Sequence, residues 1–240
     1  MCARYTLKTS ATVLAELFDL DEVPDLAPRY NIAPTQSVPG VVGRGGRREL
    51  SMFRWGLIPS WAKDMSIGQK LINARAETLA EKPSFRSAFK RRRCLLPADG
   101  FFEWTEVDPA QPDPNLGLAG RSLPSAKPYK QPFHIRLRSG EPFAFAGLFE
   151  VWETPEAGPL ETCAIITTEP NELLSKVHNR MPAILAREDY GLWLDDEAQS
   201  PDPLLPLLAP YPADPMEMVP VTRLMSNPRF DDPVCVAPLV

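Results

Sequence analysis

The stretch Cys94-Leu95-Leu96-Pro97-Ala98-Asp99-Gly100-Phe101-Phe102-Glu103-Trp104-Thr105 reads as β-strand, because aromatic side chains favour a pleated, half-buried surface. Runs of the same character occur at Ser37–Val42, Glu49–Trp55, Phe133–Arg138, Pro142–Val151 and Thr162–Thr168. Between them lie four short helical patterns. Ser10–Asp19 has a capping serine and an apolar stripe of Val13, Leu14, Leu17 and Phe18. Ser84–Arg92, Glu169–Val177 (with Pro170 near its start) and Glu188–Leu194 are the others. Strands outnumber helices and no regular βαβ alternation is present. An α+β domain with a mainly antiparallel, curled or barrel-like sheet is therefore predicted.

The 28 prolines exceed twice the usual share of about 5%, which limits long helices. The 240 residues suit one domain, 1–240, and the 44% apolar content supplies a sizeable core. Asp108–Pro128 holds five prolines and no usable periodicity, and reads as a surface loop between two strands. No signal peptide and no membrane-spanning apolar run is visible, so a soluble, cytoplasmic monomer is expected. Cys2, Cys94, Cys163 and Cys235 are far apart and His134 and His178 are the only histidines. That spacing predicts neither a metal site nor a disulfide framework, and no cofactor is expected. Charge is uneven: residues 1–93 hold 16 Lys and Arg against 9 Asp and Glu, and the remainder 10 against 22. A basic half on an acidic chain fits a polyanion site, or a solvated surface with an accidental bias.

Five features point to chemistry. Cys2 becomes the N-terminus once the initiator Met1 is removed, and an N-terminal cysteine is a 1,2-aminothiol. Its amine can attack an aldehyde and its thiol can close a thiazolidine ring on the imine carbon. Asn73 and Arg75, two apart, share a face of an extended segment and can address one ligand; Asn in a turn with Arg on the surface is the plainer alternative. Glu103 faces opposite Phe102 and Trp104, either desolvated and suited to acid–base work or simply exposed. His178, in His178-Asn179-Arg180-Met181-Pro182, sits at a turn as a proton carrier or a structural hydrogen-bonding group. Trp55 and Trp61, flanking a Gly/Pro turn beside Arg54, offer a stacking platform for unpaired bases or core packing. Tyr30-Asn31-Ile32-Ala33-Pro34-Thr35 reads as a rigid loop without chemistry of its own.

Taken together, Met1-Cys2-x-Arg4, Tyr30-Asn31-Ile32-Ala33-Pro34, Trp55-Gly56-Leu57-Ile58-Pro59, Asn73-Ala74-Arg75-x-Glu77-Thr78, Gly100-Phe101-Phe102-Glu103-Trp104 and His178-Asn179-Arg180-Met181-Pro182 resemble the SRAP family. These are the SOS-response-associated peptidases, or abasic-site processing proteins. The motifs run in order from Met1 to about Pro182, with a weaker echo at Pro220–Asn227.

The resemblance implies a single domain that recognises abasic sites in single-stranded DNA and crosslinks to them through Cys2, with self-removal of Met1 and possible lyase activity. The protein is then nucleoid-associated when bound to DNA. It implies catalytic roles for Cys2, Asn73, Glu103 and His178. It places Arg4 and Arg75 at phosphate-contacting positions, Thr167 at a further site position and Trp55 against exposed bases. Ala3 stands where the family has glycine. Two rivals remain: a cysteine peptidase acting in trans, with Cys2 as nucleophile and His178 as base, and a non-catalytic single-strand binding module.

Overall fold

A computed structural model describes residues 2–108, 128–154 and 158–239. The proline-rich segment at 109–127 and Met1 fall outside the described residues. In chain order the elements are β1 (Tyr5–Leu7), α1 (Ala11–Phe18), β2 (Arg29–Ile32), β3 (Ser37–Arg44), β4 (Arg47–Trp55), β5 (Asn73–Arg75), α2 (Arg86–Arg91), β6 (Arg93–Ala98), β7 (Gly100–Val107), β8 (Tyr129–Leu137), β9 (Phe143–Thr154), β10 (Gly158–Thr168), β11 (Met181–Pro182), β12 (Ile184–Leu185), α3 (Tyr190–Leu194) and β13 (Met216–Pro220).

Five strands close on themselves. β4 pairs with β3, β3 with β6, β6 with β9 and β9 with β10, all antiparallel; β10 then meets β4 in parallel. This is the curled, mainly antiparallel α+β architecture expected, and closure leaves these strands no free edge. β10 runs on past the barrel to pair with β5 in parallel and with β11. A second sheet, ordered β13-β8-β7-β1-β2, stands beside it.

The run Cys94–Thr105 is two strands rather than one. β6 belongs to the barrel and β7 to the second sheet, with the corner at Asp99. The Asp99 N–H donates to the Thr6 carbonyl at 2.8 Å. Its carboxylate accepts from the Thr9 N–H at 3.2 Å, from the Lys8 N–H and from the Thr9 hydroxyl. A charged acceptor facing three donors is stable when buried, so the chain can turn there inside the molecule. Gly100 is required by close approach: a Cβ there would lie 2.3 Å from His134 Nε2 and 2.7 Å from the Ile135 carbonyl oxygen.

β7 is buried on both faces. Phe101 joins the main core, where its ring meets Phe145 edge-on at 6.0 Å. Phe102 joins a smaller core with Val221, Met225 and Cys235. Glu103 lies on the Phe101 side of β7, which faces the main core, while the second core covers the opposite side with Phe102.

Helices follow expectation with one exception. Ser10 caps α1 through the Val13 N–H, and α1 buries Leu14 and Phe18, the latter stacked 5.5 Å from Tyr190. In the segment read as helix over Glu169–Val177 the structure has only a 3₁₀ turn at Leu174–Lys176. Asn171 marks the start of the turn leading into it, in the manner of an N-cap: its Oδ1 accepts from the Leu174 N–H at 2.9 Å while its Nδ2 donates to the Tyr211 carbonyl. The Tyr30–Thr35 loop contains strand β2, with Ile32 paired to Tyr5. No helix is long and apolar enough to cross a membrane among the described residues.

Candidate active site

Cys2 immediately precedes the second sheet and is fully buried. The Asn73 amide donates to the Cys2 carbonyl at 2.9 Å, and the thiol contacts the Arg4 carbonyl at 3.8 Å. Burial, and then the Glu103 carboxylate, pushes the Cys2 thiol far above its ordinary value, so it is protonated at neutral pH.

Asn73 reaches Cys2 because β5 extends the barrel's sheet along β10, with Asn73 opposite Ile165 and Arg75 opposite Thr167. Ala74 between them is buried, while Arg75 is exposed. Asn73 and Arg75 thus share a face, as period-two spacing requires.

Glu103 is 3% exposed. Burial raises its carboxyl to about 6, against the opposing pull of the positive amino terminus. A carboxyl titrating near there exchanges protons readily close to neutrality. His178 is half-buried in the turn before β11, and its Nδ1 accepts from the Arg180 N–H at 3.0 Å. Burial and the same positive terminus lower the imidazole, which is neutral at pH 7. When Nδ1 accepts from the Arg180 N–H, the neutral ring carries its proton on Nε2. Cys2, Glu103 and His178 come from three distant segments: the Phe102 N–H on the Arg4 carbonyl ties β7 to the chain just after Cys2, Asn73 ties Cys2 to β5, and Arg180 ties the His178 turn to β10.

The His178 turn is tied to β5 and β10. Arg180 grips Glu77 with both terminal nitrogens, at 2.6 and 3.0 Å, and Nη2 also donates to the Thr167 carbonyl at 2.6 Å. The guanidinium holds the Glu77 carboxyl below its ordinary value. Thr167 itself is buried, with its hydroxyl on the Ala74 carbonyl. It meets the site through its backbone.

Two assignments change. Trp55 is fully buried, its indole N–H donates to the Ile72 carbonyl, and its ring packs against Tyr5 at 5.4 Å. It is a core residue with no face for a base; Trp61, 58% exposed, is the open indole of that segment. Arg4 is also committed elsewhere. Nη1 donates to Asn31 Oδ1 and the Met225 carbonyl, each at 3.0 Å, and Nη2 to the Ser226 carbonyl at 3.2 Å. In this structure it is a strut to the C-terminal segment, not an open phosphate contact.

Sequence reasoning gave no role to Asn31, whose amide donates to the carbonyls of Met225, Asn227 and Phe230. It also passed over the Glu77–Arg180 pair. Both lie inside quoted motifs, but the residues they hold are over a hundred positions away and leave no local spacing signal.

The groups here that can attack an electrophile or exchange a proton are the buried Cys2 thiol, the buried Glu103 carboxyl and the half-buried His178 ring, with Arg75 exposed. Residues 1–228 match the family model for the SOS response associated peptidase, SRAP. The chain is 45% identical to the abasic site processing protein YoqW of Bacillus subtilis, over 97% of each chain. It is 31% identical to the abasic site processing protein HMCES of Rattus norvegicus, over 88% of this chain and 65% of that one. A crystal structure of a protein from Bacteroides thetaiotaomicron superposes with a TM-score of 0.81 at 28% identity, over the whole of both chains.

Proposed function

The chain belongs to the SRAP family, and from that premise we propose that it recognises abasic sites in single-stranded DNA and bonds to them covalently through Cys2. The observation that carries this is that the fully buried Cys2 is held through its carbonyl by Asn73, with the buried Glu103 carboxyl, raised to about 6, on the neighbouring strand β7.

Removal of Met1 frees the Cys2 amine. The amine attacks the aldehyde carbon of the ring-opened abasic deoxyribose and forms a carbinolamine. Loss of hydroxide as water gives an imine. The thiol sulfur then adds to the imine carbon, its proton passes to nitrogen, and a thiazolidine results. Glu103 is roughly one-tenth protonated at pH 7, by the pKa above. It can donate to the departing hydroxyl and, once ionised, accept from the incoming amine or thiol. His178 Nε2–H serves as the second donor, at the sugar ring oxygen. Asn73 fixes the Cys2 backbone so that amine and sulfur reach the same carbon. Arg75 contacts a flanking phosphate, and Trp61 stacks on a neighbouring base. The same acid–base groups serve the cleavage of Met1 and a lyase activity. The working place is the cytoplasm, on the nucleoid when DNA is bound.

A trans-acting cysteine peptidase fits less well. It needs a thiolate beside an imidazolium, whereas burial here holds the Cys2 thiol protonated and the His178 ring neutral. The test is incubation of processed protein with single-stranded DNA carrying one abasic site. A denaturation-resistant adduct is expected, absent with undamaged DNA and absent in Cys2→Ala. An adduct of equal yield in Cys2→Ala would sink the proposal.

A further inference from the structure

We infer that Glu77 acts through Arg180 as a positioning residue that sets which nitrogen of His178 carries the proton. This rests on the reading of His178 as a proton donor. His178 Nδ1 lies 3.0 Å from the Arg180 N–H and 3.2 Å from the Arg180 carbonyl oxygen. One residue therefore offers the ring both a donor and an acceptor. With the N–H engaged, Nδ1 is bare and Nε2 is protonated; with the carbonyl engaged, the tautomer reverses. The small displacement separating these arrangements makes the placement of the Arg180 backbone decisive.

That placement is fixed on one side by the pairing of Met181 with Thr168 and on the other by the Arg180 side chain. Glu77 takes both terminal nitrogens in a planar fork, and the Thr167 carbonyl takes one of them again. Thr167 is fixed in β10 opposite Arg75, and Glu77 follows Arg75 by two residues in the 3₁₀ turn Ala76–Thr78. The segment that holds Cys2 through Asn73 is thus the segment that holds His178 through Glu77. The Glu77 side chain is 47% exposed, so the ion pair adds little to global stability. A bidentate fork still imposes geometry, which is the property that matters for a tautomer.

The chain has two histidines, so nitrogen-15 spectra of the imidazoles contain two sets of signals, assigned with His178→Gln. In the free wild-type protein His178 is expected as the Nε2–H tautomer. Glu77→Ala should convert it to a mixture or to Nδ1–H, with Glu77→Gln between, and leave the His134 signals unchanged as an internal control. In single-turnover reaction with abasic single-stranded DNA, Glu77→Ala should be slower by roughly tenfold, a part of the usual general-acid contribution. The same change in a His178→Ala background should cost nothing further. An unaltered His178 tautomer in Glu77→Ala would overturn the inference. Failure of the wild-type protein to form an adduct would instead overturn the proposed function, because the tautomer is measured without DNA.

Discussion

The layer around β7, β8 and the C-terminal segment uses the same residue types as the site beside it, to opposite ends. Each region has a histidine, an arginine and an asparagine. In the layer, Arg4 and Asn31 give most of their donors to backbone carbonyls, and His134 is 1% exposed with Nε2 against the Thr6 hydroxyl at 3.3 Å. In the site, His178 is half-buried, Arg75 is exposed, and Asn73 holds the Cys2 carbonyl. Burial lowers both histidines, His134 to about 3. A perturbed pKa therefore does not identify function by itself. Access and a reactive neighbour separate the two.

The sharpest way to break this comparison is to exchange its histidines one at a time. His178→Ala should reduce the single-turnover crosslinking rate at saturating DNA by about a hundredfold or more, the usual scale for losing a general acid. His134→Gln should leave that rate within about twofold and act on stability instead. Similar rate losses in the two variants would erase the distinction.

Glu103 tests whether the site is held at a cost to the fold. A carboxyl that ionises near 4.5 when unfolded keeps its proton to about 6 when folded. The folded state then binds more protons between those values, and stability falls as pH rises through that window. Above about pH 6 the cost is complete, at about 2 kcal/mol for a shift of this size. Glu103→Gln should recover up to that amount at pH 8 and almost none at pH 4, measured by urea unfolding, while crosslinking slows. Equal effects at both pH values would assign the cost to packing.

The smallest expected effect separates the two arginines. Arg75→Ala should flatten the log–log salt dependence of single-strand binding by roughly 0.7, one phosphate contact. Arg4→Ala should leave that slope unchanged and lower stability, because it abandons three protein acceptors. A change of slope in Arg4→Ala with none in Arg75→Ala would reverse the assignment.

How far the sequence reached depends on the range of the interaction. The strands were legible wherever aromatic and β-branched runs were local, and α1 from its cap and stripe. Period two correctly put Asn73 and Arg75 on one face. It could not decide whether Glu103 was buried, because aromatic residues occupy both faces of β7 and a second cover for Phe102, from Val221, Met225 and Cys235 more than a hundred residues away, leaves the Phe101–Glu103 face to the main core. It missed the corner at Asp99, whose donors come from Lys8 and Thr9. Trp55 and Trp61 looked alike in sequence, and only barrel closure buried one of them.

By itself the sequence determined the strand-rich composition, the aminothiol that Cys2 can become and the order of motifs by which the family was recognised. These are covalent or nearest-neighbour properties, fixed before the chain folds. The tertiary structure alone decided that Arg4 is a strut, that the Thr167 carbonyl accepts from Arg180 and that Glu77 pairs with Arg180. Those facts depend on which donors and acceptors meet after long loops close, and pairing of that kind carries no periodicity along the chain.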